Sequence, residues 1–190
     1  LIKDGSIDYE NLNIFLDKFA KQKFLIFGFT SLVYEQLINK LDIKKIKSFF
    51  ENSILIHGGG WKKMEKIKVS NKIFKRKLNK FLKINHIINY YGLIEQTGSI
   101  FFECNKCGCF TPSEYSEVLI RDKNFKTLPK NKKGFIQLLS ILPKSYPGHS
   151  ILTEDIGQLI NNNCKFCKIA KKFKVYGRAE QSEIRGCSDV

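Results

Sequence analysis

At 190 residues, with 43% hydrophobic content and 16 phenylalanines, the chain has the apolar mass of one ordinary domain, or one and a half small ones, and is not a disordered polymer. Its formal net charge of +15 raises nucleic acid as a partner. However, only four of the 33 basic residues are arginine (Arg76, Arg121, Arg178, Arg185) and the lysines are scattered, which disfavours specific nucleic-acid binding. No apolar run approaches the roughly 20 residues that span a bilayer and no signal-peptide pattern is present, so a cytoplasmic location is expected.

Residues 8–22 carry Leu12, Phe15, Leu16 and Phe19 at helical spacing and predict a helix. Phe24–Phe29 predicts a short buried strand. Thr30 or Ser31 is then placed to cap a helix bearing Leu32, Tyr34, Leu37, Ile38 and Leu41. A further helix is expected over about 43–51, then a strand Ser53–His57 ending in Gly58-Gly59-Gly60-Trp61. Residues 72–83 hold apolar side chains at 73, 74, 78, 81 and 82, the pattern of an amphipathic helix with a cationic face. Solvation explains that face; docking to an acidic partner or an anionic membrane is the sharper alternative. A strand Ile84–Tyr91 follows, and this alternation predicts a helix-covered, mainly parallel sheet. After Gly98, β-forming runs at Ile100–Phe102, Tyr115–Arg121, Gly134–Ser140 and Phe173–Tyr176 predict a smaller, β-rich subdomain.

The six cysteines are Cys104, Cys107, Cys109, Cys164, Cys167 and Cys187. Cys104/Cys107 and Cys164/Cys167 are two C-x-x-C knuckles, a spacing that lets both sulfurs of a turn reach one tetrahedral ion. Two such pairs without a secretory context favour a closed, structural zinc clip joining two loops, with Cys109 as a substitute ligand. Reduced core thiols and a redox pair are the competing accounts.

Three polar blocks stand in order: Tyr90–Gly98, Leu152–Gly157 and Tyr176–Glu180. Each follows a run that reads as a strand, and glycine, carboxylate and an aromatic or cation recur in all three, a grouping suited to a nucleotide and its metal. Together with 57–63, 142–150 and 183–189, these blocks resemble the second half of the catalytic core of acyl-adenylate-forming enzymes, the acyl-CoA synthetase and phenylacetate-CoA ligase superfamily. Within it, they are most similar to the acyl-protein synthetases of bacterial bioluminescence, the long-chain fatty acid–luciferin component ligases. The resemblance covers nearly the whole chain from Phe24 onward and implies an α/β fold: residues 1–98 as part of the adenylation core, 99–177 as the β-rich subdomain, and 178–190 as hinge and shortened tail.

It further implies ATP-dependent activation of a carboxylic acid, a fatty acid in this family, with transfer to a protein cysteine and an acyl-donor or acyl-acceptor protein as partner. By resemblance Gly58, Gly59, Gly60 and Tyr91 flank the adenine, Glu95 holds magnesium, Asp155 accepts hydrogen bonds from the ribose, and Arg178 reaches ribose or phosphate. Cys187 matches the cysteine that takes the acyl group, with Arg185 placed to lower its pKa, against the plainer account of a packing thiol. His149 is either a proton shuttle or a hydrogen-bonded loop histidine. The superfamily's Ser/Thr/Gly-rich phosphate loop is not found, and the chain begins at Leu1, so these residues are expected to be the C-terminal half of the enzyme and inactive alone. Two alternatives compete: a zinc-stapled basic module for nucleic acid, and a non-catalytic remnant of the fold.

Overall fold

Leu12 and Leu16, one turn apart on helix α1 (Tyr9–Phe19), are both buried, as their spacing requires. They belong to the first of two units into which the chain divides, Leu1–Ile88 and Asn89–Val190. The computed structural model describes residues 2–3, 6–19, 21–46, 50–144, 147–161, 163–167 and 171–179.

In the first unit, β1 (Ile2–Lys3) and β2 (Ser6–Ile7) form a small antiparallel ladder. Strand β3 (Phe24–Phe29) pairs in parallel with β4 (Ser53–Gly58) along its full length. Helix α2 (Thr30–Val33) runs straight into a π-helical stretch, Tyr34–Lys40. Helix α3 (Asn71–Leu82) is the basic amphipathic segment, capped by Ser70, whose hydroxyl accepts from the Ile73 amide, and ended by Lys83 in the left-handed region. It buries Phe74, Leu78 and Leu82 in a core shared with Leu12, Leu16, Leu55 and Trp61.

Three local expectations change. The helix over 43–51 is reduced to one 3-10 turn, Ile43–Lys45, closed by the Asp42 carboxylate accepting from the Lys44 amide. Ile46 is then extended, Phe50 is buried, and residues 47–49 lie outside the described residues. Thr30 does not cap α2; its hydroxyl is committed to the β4 end, donating to the Gly58 carbonyl and meeting His57 Nδ1, both at 3.0 Å. Strand β3 is buried on one face only: Ile26 is inside, whereas Leu25 and Phe27 are 59% and 64% exposed. Strand alternation sends these neighbours to opposite faces, and the described core covers one of them.

The second unit begins within β5 (His86–Gly92) and continues through β6 (Ile100–Glu103), β7 (Phe110–Thr111), β8 (Ser116–Arg121), β9 (Lys133–Ser140), β10 (Ser150–Leu159) and β11 (Phe173–Arg178). The strands are ordered β5-β6-β7-β11-β10-β9-β8 with antiparallel pairing throughout. Phe101, Phe110, Val118, Ile120, Ile136, Leu138, Leu159 and Phe173 form its core. Among the described residues no helix is long and apolar enough to cross a membrane.

Candidate functional site

In the first unit β4 delivers His57 and the glycines to its C-terminal end, where parallel strands open onto ligands. Gly58 is buried, Gly59 and Gly60 are exposed, and Gly59 has φ +76°, a left-handed turn that glycine adopts without strain. Behind the turn, His57 is 2% exposed and packs against Phe74, ring centroids 4.6 Å apart and tilted by 43°. Because Thr30 gives its proton to the Gly58 carbonyl, its oxygen accepts from His57 Nδ1–H, leaving Nε2 as a buried lone pair without a hydrogen-bond partner. Burial, and then the Lys75 charge, push the imidazole down to about 3. His57 is therefore a neutral anchor for the glycine turn.

In the second unit the Thr153-Glu154-Asp155 block sits on a bulge. Between Leu152↔Gln137 and Ile156↔Phe135, strand β10 carries two more residues than β9. Such an insertion breaks the ladder and re-aims its side chains. Thr153 turns inward and donates to the Ile136 carbonyl at 2.9 Å, and the Asp155 amide donates to Thr153 Oγ1 at 3.1 Å. The Asp155 carboxylate then accepts the Tyr91 hydroxyl at 2.7 Å. Tyr91 is wedged against Phe101, Phe110 and Phe173, with ring centroids about 6 Å away. Burial first, then the Asp155 charge and hydrogen bond, hold its phenol well above the usual value, so it remains a donor. Arg178 pairs across the ladder with Asp155 and makes a loose, exposed ion pair with Glu154 at 3.6 Å. Gly177, at φ +121° with open space where a Cβ would be, lies within β11 opposite Ile156, where the β10–β11 register shifts.

Glu95 is exposed on the 3-10 turn Ile94–Gln96. The turn is held from below by Gln96, fully buried, whose amide donates to the Gly148 carbonyl at 2.8 Å and the Leu138 carbonyl at 3.3 Å. The structure thus brings Tyr91 and Asp155 into contact and places Arg178 in the neighbouring ladder position. His149 meets the Ser140 carbonyl through Nδ1 at 3.2 Å, a loop contact. Cys187 and Arg185 lie outside the described residues. Gln96, Gly148 and Thr153 lie inside the blocks 90–98, 142–150 and 152–157 that carry the family resemblance, but no role was expected of any of them.

The sulfurs of Cys104, Cys107, Cys164 and Cys167 all lie within 4.8 Å of one another, with Cys104–Cys164 at 3.9 Å and Cys107–Cys167 at 3.5 Å. Zn–S bonds of about 2.3 Å in a tetrahedron put sulfurs about 3.8 Å apart, so the set needs little movement to close on zinc. Gly108, at φ +66°, turns the first knuckle, and its amide donates to the Cys104 carbonyl at 2.8 Å. Amides of Cys167 and Phe166 bring the Cys164 thiol down to about 6. Burial opposes ionisation of Cys104, but the Cys107 and Lys106 amides outweigh it and the thiol falls below its usual value. Burial and the neighbouring sulfurs push Cys167 upward. Three sulfurs resisting ionisation of a fourth is the electrostatic demand that a dication meets. Cys109 is buried in the core and is not one of the four.

A family model described as "Acyl-protein synthetase, LuxE" matches residues 3–190. No curated protein matches the chain. Among solved structures, the luciferase-like enzyme of the nonluminescent mealworm Zophobas morio is 18% identical, with a TM-score of 0.58 over 94% of this chain and 42% of its own. The anthranilate CoA ligase AuaEII in complex with anthranoyl-AMP is 13% identical, with a TM-score of 0.61 over 90% of this chain and 32% of its own. ATP-bound MatB from Rhodopseudomonas palustris is 13% identical, with a TM-score of 0.57 over 93% and 34%. The fold is that of adenylate-forming enzymes, and the chain spans well under half the length of each of these structures.

Proposed function

The chain belongs to the acyl-protein synthetase family whose model it matches over residues 3–190, and we propose that it supplies part of a site that activates a fatty acid as acyl-adenylate at the expense of ATP and passes the acyl group to Cys187. The observation that carries this reading is the Asp155 carboxylate, raised on the β10 bulge and aimed by the Tyr91 hydroxyl. A carboxylate with one oxygen held by a buried donor keeps its remaining lone pairs for the paired hydroxyls of a ribose. Arg178, paired with Asp155 across the β10–β11 ladder, offers a cation to the α-phosphate or ribose.

In the first step the substrate carboxylate attacks the α-phosphorus and pyrophosphate leaves; in the second the Cys187 thiolate attacks the acyl carbon and AMP leaves. Glu95, exposed on a turn fixed by Gln96, would hold magnesium, which when bound would neutralise charge on the phosphates. Everything else falls to positioning.

Titration with Mg-ATP, or with a non-hydrolysable acyl-AMP analogue carrying a long alkyl chain, tests the reading. At a hundredfold excess over Kd, ligand stabilises by about 2.7 kcal/mol and raises Tm by several degrees. Asp155→Asn should weaken the ATP response about tenfold or more; an unchanged response in that variant would overturn the ribose assignment. Transfer of labelled acyl group from acyl-AMP to the chain should vanish in Cys187→Ser.

We assign the four thiolates to a structural zinc, and the full chain should carry about one zinc per molecule. Replacing Cys104 and Cys164 together with serine should reduce metal content to background in elemental analysis; retention of stoichiometric zinc would refute the assignment.

A further inference from the structure

In ladder order β5 and β10 are four places apart. At about 4.8 Å per strand, a flat sheet would separate them by roughly 19 Å. Yet the Tyr91 hydroxyl on β5 and the Asp155 carboxylate on β10 are 2.7 Å apart. The sheet therefore curls over its own core, and the pair exists only while that curl is held.

The ladder is narrowest between those two strands. β7 has two residues; it pairs with β6 at Phe102↔Thr111 and Glu103↔Phe110, and with β11 at Phe173↔Phe110 alone. Among the described strands of the second unit, this short ladder is what joins β5–β6 to β8–β11. The cysteines flank that joint. Cys104 and Cys107 follow β6 and lead into β7, whereas Cys164 and Cys167 lie in the connection from β10 to β11. A metal bound by all four ties the two sides together where the ladder is thinnest. Phe110 and Phe173, the paired residues of that joint, pack 5.7 Å apart and both rest on the Tyr91 ring.

We propose that the tetrathiolate centre is a positioning device for the nucleotide site: zinc occupancy fixes the curl at β7, holds Tyr91 against Asp155, and thereby sets affinity for the nucleotide. The last clause rests on the reading of Asp155 as the ribose acceptor; the mechanical part does not. The four cysteines touch no substrate and act through β7 and its phenylalanines.

The test is hydrogen–deuterium exchange on the full chain, zinc-loaded and after chelation, with ATP titrations in parallel. Chelation should speed exchange about tenfold at the amides of 90–92 and 153–156, while β8–β9 stays protected, and should raise the ATP Kd by about the same factor. Cys107→Ser should shift the same amides, and Tyr91→Phe should weaken ATP binding in zinc-loaded protein yet leave little further loss on chelation. Faster exchange confined to the cysteine loops, unfolding of the whole unit on chelation, or a metal-free chain as purified would each overturn the proposal. If the zinc-loaded protein does not bind ATP, the nucleotide reading fails, and the exchange at 90–92 and 153–156 still decides the mechanical claim.

Discussion

Acidification from pH 6.5 to about 3 is expected to cost the first unit several kcal/mol of stability through one residue, His57. Its imidazole is held neutral in the fold down to about 3, whereas an exposed histidine protonates near 6.5. Between those values the unfolded chain binds a proton that the folded chain refuses, so stability rises with pH across the window and is fully present above it. Each pH unit inside the window is worth about 1.4 kcal/mol, and the sum is on the order of 5 kcal/mol, a large share of the 5–15 kcal/mol that typically holds a domain. The cause is visible: the ring is buried against Phe74, its Nδ1 proton is committed to Thr30, and Nε2 has no partner to share a second proton. His57→Asn keeps a donor for Thr30 and removes the titration. Urea unfolding followed by Trp61 fluorescence should give a wild-type midpoint that falls steeply below pH 6.5 and a variant curve that is flatter over the same range. Parallel curves would show that carboxylates, not His57, govern the acid limb.

How much of this was legible before the structure depends on whether a feature is local. Helices α1 and α3 could be read because Leu12/Leu16 and Phe74/Leu78/Leu82 repeat at the helical period, and Ser70 is a strong cap. The family blocks were legible as words, and the fold follows from them. The helix over 43–51 was misread because Ile46 and Phe50 also fit a chain that leaves helical geometry to bury Phe50. Thr30 was misread for a similar reason: a hydroxyl at a helix start has two uses, and the second depends on His57, 27 residues away. The meeting of Tyr91 with Asp155 joins residues 64 apart through a curled sheet, and no periodicity encodes that curl. The four cysteines converge across 60 residues, yet their grouping could be expected from the C-x-x-C spacing because each knuckle is itself local.

Gly148→Ala is the substitution expected to damage the site most without replacing any proposed ligand. A Cβ at this position would lie 2.2 Å from the Glu95 carbonyl oxygen and 3.3 Å from its carbonyl carbon. The obstacle is backbone, not the end of a flexible side chain, so relief requires moving the Ile94–Gln96 turn or the loop that bears Gly148. Either movement strains the bond from the Gln96 amide to the Gly148 carbonyl. Gln96 is fully buried and its amide nitrogen is already committed to the Gly148 and Leu138 carbonyls, so it has no spare donor with which to compensate. Overpacking of this kind costs about 1–3 kcal/mol, and a weakened buried amide adds about 1 kcal/mol or more. If Glu95 holds magnesium as proposed, the functional cost should be larger, because a catalytic group misplaced by about 1 Å loses on the order of a hundredfold in rate. In a form of the protein that catalyses adenylation, Gly148→Ala should therefore lower kcat for ATP–pyrophosphate exchange about a hundredfold at saturating ATP, with Tm falling by several degrees. Adding Gln96→Ala should cost less in the Gly148→Ala background than in wild type, because the two changes strain the same contact. A variant with normal exchange and only a lowered Tm would show that the turn supports the fold without placing Glu95 on the phosphates.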